Sequence, residues 1–184
     1  MPKALTHRQE RKERSQDGDL QQYLTFTLDQ ETYAVSIGKV REIVEFHSLT
    51  KIPMMPAFLC GVTNLRGAVI PVIDLLSRFG KGVTSLGNRS CIVIVEVEHA
   101  GEMSPLGILV NSVNEVVPVE EEDIEPRPSF GSSIRADFID SLLNLHGEFI
   151  ISLDLQQALS IQEMAELARS WGDDPTIHSG EDRS

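Results

Sequence analysis

The sequence predicts a mainly β fold of two small five-stranded barrels with a C-terminal helix. One observation is that the chain spells nearly the same set of strands twice. Another is that each strand is short, alternates or runs apolar, and is bounded by a tight turn. Closure follows because an open five-stranded sheet would leave two exposed edges, which a barrel removes.

In order, the first unit carries a strand at Tyr23–Leu28, a turn at Asp29-Gln30-Glu31 and a strand at Tyr33–Ile37. Val40-Arg41-Glu42-Ile43-Val44 then alternates apolar and polar residues, as a half-buried strand does. Asn64 to Leu75 reads as a hairpin: an apolar strand, a Gly67 turn, a returning strand, and Asp74 as N-cap of a short helix. The second unit repeats this with Cys91–Val97, a turn at Glu98–Glu102, Leu106–Val110, Val113-Asn114-Glu115-Val116-Val117 and Asn144–Leu155. At an offset of 80 the two hairpins share six of twelve residues, and the upstream strands match at an offset of 73.

The units run from about 20 to 86 and from 88 to 160, with a boundary loose enough for an edge strand to cross to the neighbouring barrel. Pro53, Pro56 and Pro71 are expected at strand starts or loop corners, where a missing N–H is tolerated. Leu155, Leu159, Ile161, Met164, Leu167 and Trp171 recur largely at helical spacing, predicting a C-terminal helix laid on the barrels, with 161–171 as an extension. Residues 1–19 and 172–184 are polar and read as disordered tails, and Ser129–Ser133 as a flexible connector.

The 184 residues carry a net charge of −12 and 41% hydrophobic residues, enough for a sizeable core. This acidity argues against nucleic acid, whose binding relies on basic residues displacing counterions, and against a polybasic membrane surface. The longest uncharged stretch, Ile52 to Leu65, is too short to span a bilayer and is broken by prolines. Met1 to Ser15 lacks a signal-type apolar run, so the expected location is the cytoplasm. Cys60 and Cys91, without CxxC spacing, read as reduced, buried small hydrophobes.

By segment the charge splits. Residues 39–89 carry seven bases against three acids, and residues 90–160 carry two against thirteen, including the acidic run Glu120–Glu125. That run reads as a solvated loop or as a patch that steers a partner. His7, His47, His99, His146 and His178 are scattered without metal-ligand spacing. No phosphate-binding glycine loop or nucleophile elbow is present, and Asp137 and Asp140 form an unremarkable i, i+3 pair. The residues describe a non-catalytic binding module with no metal and no cofactor.

The ordered motifs resemble the CheW family of chemotaxis coupling proteins over about Leu20 to Leu159. They are Phe26 and Leu28, Tyr33 to Val35, Val40 to Ile43, Ile52 with Pro53 and Pro56, Gly61 to Gly67, Ile70 to Leu75, and Leu153 to Leu155. Asn111 departs from the family's usual Asp. The resemblance implies two intertwined five-stranded SH3-like barrels without enzymatic activity. It implies an adaptor that couples the cytoplasmic tip of a chemoreceptor hairpin to the regulatory domain of the histidine kinase CheA. The chain would reach the inner membrane face through receptors and not through lipid, and other CheW-like domains would join it in array rings. Carried over by position, the receptor and kinase surface comprises Val40, Glu42 and Ile43 with the turn Asn64, Leu65, Arg66 and Gly67. A CheW-like module of a non-flagellar chemosensory pathway is the alternative.

Overall fold

The computed structural model describes residues 20–129 and 134–172, with side chains through residue 166. The expected tail at 1–19, the expected tail at 172–184 except Gly172, which ends a helix and not a tail, the connector residues 130–133 and the side chains of Leu167 and Trp171 lie outside the described residues. Eleven strands follow in order among them: β1 Gln21–Leu28, β2 Glu31–Ser36, β3 Val40–Glu45, β4 Leu59–Leu65, β5 Ala68–Asp74, β6 Cys91–His99, β7 Glu102–Val110, β8 Ser112–Val119, β9 Ile124–Pro126, β10 Ile139–Leu145 and β11 Glu148–Leu153. The helices are α1 Leu75–Arg78, α2 Leu155–Ala158 and α3 Ile161–Gly172.

The strands form a five-stranded sheet, β3-β6-β7-β5-β4, and a six-stranded sheet, β8-β1-β2-β11-β10-β9. Under the repeat, β3, β4 and β5 correspond to β8, β10 and β11, and the β1–β2 hairpin corresponds to β6–β7. The two orders are therefore the same, with β9 added. One barrel takes three strands and the other four from one half, and each takes a hairpin from the other half. More crosses than the single edge strand allowed for by the sequence: a whole hairpin is exchanged in each direction. The seams are the parallel ladders of β2 with β11, at Tyr33 and Ile151, and of β5 with β7, at Val72 and Gly107. A common core spans them, drawing Phe26 and Val35 from one half and Val95 and Ile108 from the other, beside Ile73 and Leu155.

All four hairpins turn on two residues with left-handed backbone: Asp29-Gln30, Arg66-Gly67, Ala100-Gly101 and His146-Gly147. That turn matches the right-handed twist of paired strands. It makes the first and third turns shorter than the sequence reading had them. Asn64 Oδ1 and Asn144 Oδ1 accept from Gly67 N and Gly147 N at 3.1 and 3.2 Å, closing the two repeat turns identically.

Glycine is obligatory at two places. Gly61, with φ of 151°, sits at a register shift in β4, and a Cβ there would meet Thr50 O at 2.7 Å. Thr50 bridges to Val62, so the loop after β3 covers the free edge of β4. Gly107 lies under Ile92, whose Cγ2 would stand 2.7 Å from an added Cβ, and this opening lets β5 pack against β7.

The N-caps form as expected. Asp74 is buried and accepts from Leu76 N at 3.1 Å, and from Thr84 N and Thr84 Oγ1 at 2.8 and 2.6 Å, which also anchors the following loop. Asp154 accepts from Gln157 N at 3.1 Å. Three expectations need correcting. Pro71 lies within β5, opposite Val62, and not at a strand start; the ladder to β7 begins only at Val72, so a missing N–H is tolerated there. The C-terminal helix is two helices, because Leu159 leaves helical geometry (φ −111°, ψ 32°) and Ser160 Oγ accepts from Glu163 N to start α3, which runs through Gly172. Cys60 and Cys91 are free thiols but only half-buried, donating to Val72 O at 3.1 Å and Arg89 O at 3.3 Å. Burial pushes the Cys60 thiol up to about 11.

Candidate functional site

β3 and β4 are the two ends of the five-stranded ladder. Val40, Glu42 and Ile43 lie on β3, and Asn64 and Leu65 close β4 before the Arg66-Gly67 turn. The sheet curls until its ends meet. Arg66 Nη1 and Nη2 donate to Oε1 and Oε2 of the half-buried Glu42 at 3.1 and 3.0 Å, a planar fork on a carboxylate.

The fork is built by two local irregularities. A register shift between Val40 and Glu42 inserts Arg41 as the extra residue of β3, re-aiming the side chains after it. Arg66 holds φ of 52°, a left-handed conformation that costs a non-glycine residue about 1 kcal/mol and is eased mainly for Asn, Asp and Gly. Its side chain is 76% exposed, so the ion pair itself adds little stability. The same left-handed turn recurs at His146 on the other barrel, so the conformation belongs to the hairpin and the guanidinium is what sets Arg66 apart.

The other sequence-derived site residues divide. Val40 and Leu65 are half-buried and pack on the cores, and Asn64 serves the turn. Ile43 stands out from the surface. Val69, just past the turn on β5, is the exposed apolar residue that the sequence reading missed: AVIPVID is apolar almost throughout, so alternation gives no sign of it.

The repeat places a counterpart on the other barrel. Ile43 is 43% exposed and Val116 46%, and Val69 is 68% exposed and Phe149 60%. Glu115 and His146 stand where Glu42 and Arg66 do. Glu115 uses its main chain instead: Thr25, buried at a register shift in β1, donates its hydroxyl to Glu115 O at 2.9 Å and accepts from Glu115 N at 3.2 Å. The two faces share a frame and differ in their polar groups.

The acidic run forms a short turn at Glu121–Asp123. Hydrogen bonding to Glu122, with the repulsion of Glu122 and Asp123, raises Glu120 from its ordinary value. Asn111 uses both ends of its amide. Oδ1 accepts from Asp29 N, and Nδ2 donates to Ser85 O, each at 2.8 Å. An Asp, which only accepts when ionised, would lose the Ser85 bond. Among the described residues no His, Cys, Asp and Glu gather as a metal-binding group, and no helix is long and apolar enough to cross a membrane.

Residues 22–163 match the family model described as a CheW-like domain. The chain is 33% identical over 145 residues to the chemotaxis protein CheW of Klebsiella aerogenes, covering 79% of this chain and 85% of that one. It is 33% identical over 151 residues to the chemotaxis protein CheW of Treponema pallidum, covering 80% and 86%. The crystal structure of the scaffolding protein TtCheW from Thermoanaerobacter tengcongensis superposes with a TM-score of 0.69 at 37% identity, over 77% of this chain and 94% of that one. Exchanged hairpins, two SH3-like barrels and these relatives agree: the chain belongs to the family of CheW-like domains.

Proposed function

We propose that the chain is a non-catalytic adaptor that couples the cytoplasmic tip of a chemoreceptor hairpin to the regulatory domain of the histidine kinase CheA. The Arg66–Glu42 fork carries this reading: an exposed arginine forked on the strand neighbour of exposed Ile43 and three residues before exposed Val69, in a chain whose relatives are chemotaxis and scaffolding proteins. An aliphatic anchor beside a donor fork suits a helical tip that offers apolar side chains and carboxylate or carbonyl oxygens. The second face, framed alike and chemically different, leaves a place for a second partner.

In this reading the chain works in the cytoplasm and is recruited to the inner membrane face through receptors, and its two similar barrels meet the paired barrels of the kinase or of other CheW-like domains in rings. The working unit is residues 20–160. Co-sedimentation with receptor-bearing membranes, with and without the kinase regulatory domain, tests it. Recovery with both is expected, and recovery with neither overturns it.

A further inference from the structure

Arg78 and Ala158 are the same position of the two repeats, 80 residues apart, and so are Phe58 and Phe138. The fold brings all four together. Arg78 Nε donates to Ala158 O at 3.0 Å, and the guanidinium lies 4.7 Å from the Phe138 ring centre and 5.7 Å from that of Phe58. The carbonyls of Phe58 and Phe138 play matching parts, each accepting the amide of an N-cap, Asp74 or Asp154, at 2.8 Å. Equivalent positions of the two repeats therefore meet one another here, Arg78 of α1 on Ala158 of α2. One guanidinium occupies the cluster, and Ala158 leaves the space that a second arginine would contest.

The Arg78 side chain is only 5% exposed, so its charge needs a partner. Nη2 makes no aligned hydrogen bond; it faces Glu163 Oε1 at 3.1 Å, from the first turn of α3. Glu163 is shared with Arg135, whose guanidinium also lies over Phe138, at 4.5 Å, and grips Asp137 with bonds of 3.1 and 2.6 Å. Ile161 and Met164 rest on the common core to either side of Glu163. The β4–β5 and β10–β11 hairpins, which carry the Arg66 and His146 turns, belong to different sheets and share no ladder. Their short helices meet at Arg78.

We propose that Arg78 is a positioning residue that sets the β4–β5 hairpin against the β10–β11 hairpin, and that α3 is the strap that keeps it paired through Glu163. Arginine is required because one group must serve three directions: Nε to a carbonyl, the plane to two rings and Nη2 to a carboxylate. A lysine ammonium cannot do so. The two outward faces are thereby held at a fixed setting, so that a partner on one meets a preset partner on the other. That consequence rests on the adaptor reading; the hairpin geometry does not.

The test uses the full chain with Cys60→Ser and Cys91→Ser, and spin labels on Ala68→Cys and Glu148→Cys, the equivalent exposed residues beside the two turns. Pulsed electron-paramagnetic-resonance distances are compared for this parent, for Glu163→Gln, for Arg78→Lys, and for Arg41→Gln as a control that breaks an exposed ion pair elsewhere. Circular dichroism checks each fold. The parent and control give one narrow distance peak, and Glu163→Gln and Arg78→Lys lose it to a broader distribution. If Arg78→Lys does not fold, Glu163→Gln decides. A narrow, unshifted peak in folded Glu163→Gln overturns the proposal and leaves the adaptor reading standing. A broadened peak in which the kinase-bound chain still captures receptor as well as the parent overturns the consequence drawn for joint binding.

Discussion

Arg66 and Glu42 stand 24 residues apart in sequence and at opposite ends of a five-stranded ladder, yet share two hydrogen bonds of 3.1 and 3.0 Å. The contact exists because the sheet curls, and it leaves the guanidinium facing solvent. The pair therefore contributes little to stability.

Replacing Arg66 by Asn relieves the left-handed backbone while removing the fork. The relief is worth about 1 kcal/mol and the exposed ion pair about 0–1 kcal/mol, so the melting temperature holds or rises. Receptor or kinase binding falls in the same variant. Thermal melts and sedimentation on one preparation check both outcomes.

Gly61→Ala places a Cβ against Thr50 O and forces φ of 151° on an L side chain. The expected loss is about 1–3 kcal/mol, which lowers the melting temperature by several degrees. The far-ultraviolet dichroism at room temperature is unchanged. A melt equal to wild type would mean that the loop after β3 yields freely.

Thr25→Val keeps the shape of a buried side chain and deletes the hydroxyl that both donates to and accepts from Glu115. Leaving those main-chain groups unpaired costs about 1–3 kcal/mol. Chemical denaturation measures it, with Thr27→Val as the comparison, at a half-buried hydroxyl that donates to a side chain, Asn114 Oδ1, and not to the main chain.

Acid loosens α3. Hydrogen bonding to Arg135 holds Glu163 below its ordinary 4.5 and holds Asp137 below 3.8. A depressed carboxylate stabilises the fold above its unfolded value and loses that contribution as pH falls through the folded one. Protection of the first turn of α3, from hydrogen exchange corrected for intrinsic rates, is therefore flat near neutrality and drops below about pH 4.5. In Glu163→Gln the Glu163 part of that drop disappears.

The repeat made the fold legible. Asn64 and Asn144, Gly67 and Gly147, and Asp74 and Asp154 announce two like hairpins with capped helices, and the caps formed as read. The exchange of whole hairpins was hidden, because the alternation of Tyr23–Leu28 is the same whichever barrel completes the sheet. The break at Leu159–Ser160 was hidden too, since an apolar stripe continues across it. Of the seven site residues, Ile43 and Arg66 face outward, Glu42 is half-buried under the Arg66 fork, and Val40 and Leu65 spend their apolar surface on the cores. Val69 lay inside an apolar run, and Arg78 acquires meaning only from partners 20 to 85 residues away. Local pattern fixes elements; these roles depend on which strands curl together.

Reversing the fork tests the central claim most directly. Arg66→Glu and Glu42→Arg, each verified folded by circular dichroism, are sedimented with receptor-bearing membranes and with the kinase regulatory domain. The account predicts weakened association with at least one partner in both variants, at unchanged fold. Wild-type binding to both partners by either folded variant would contradict it.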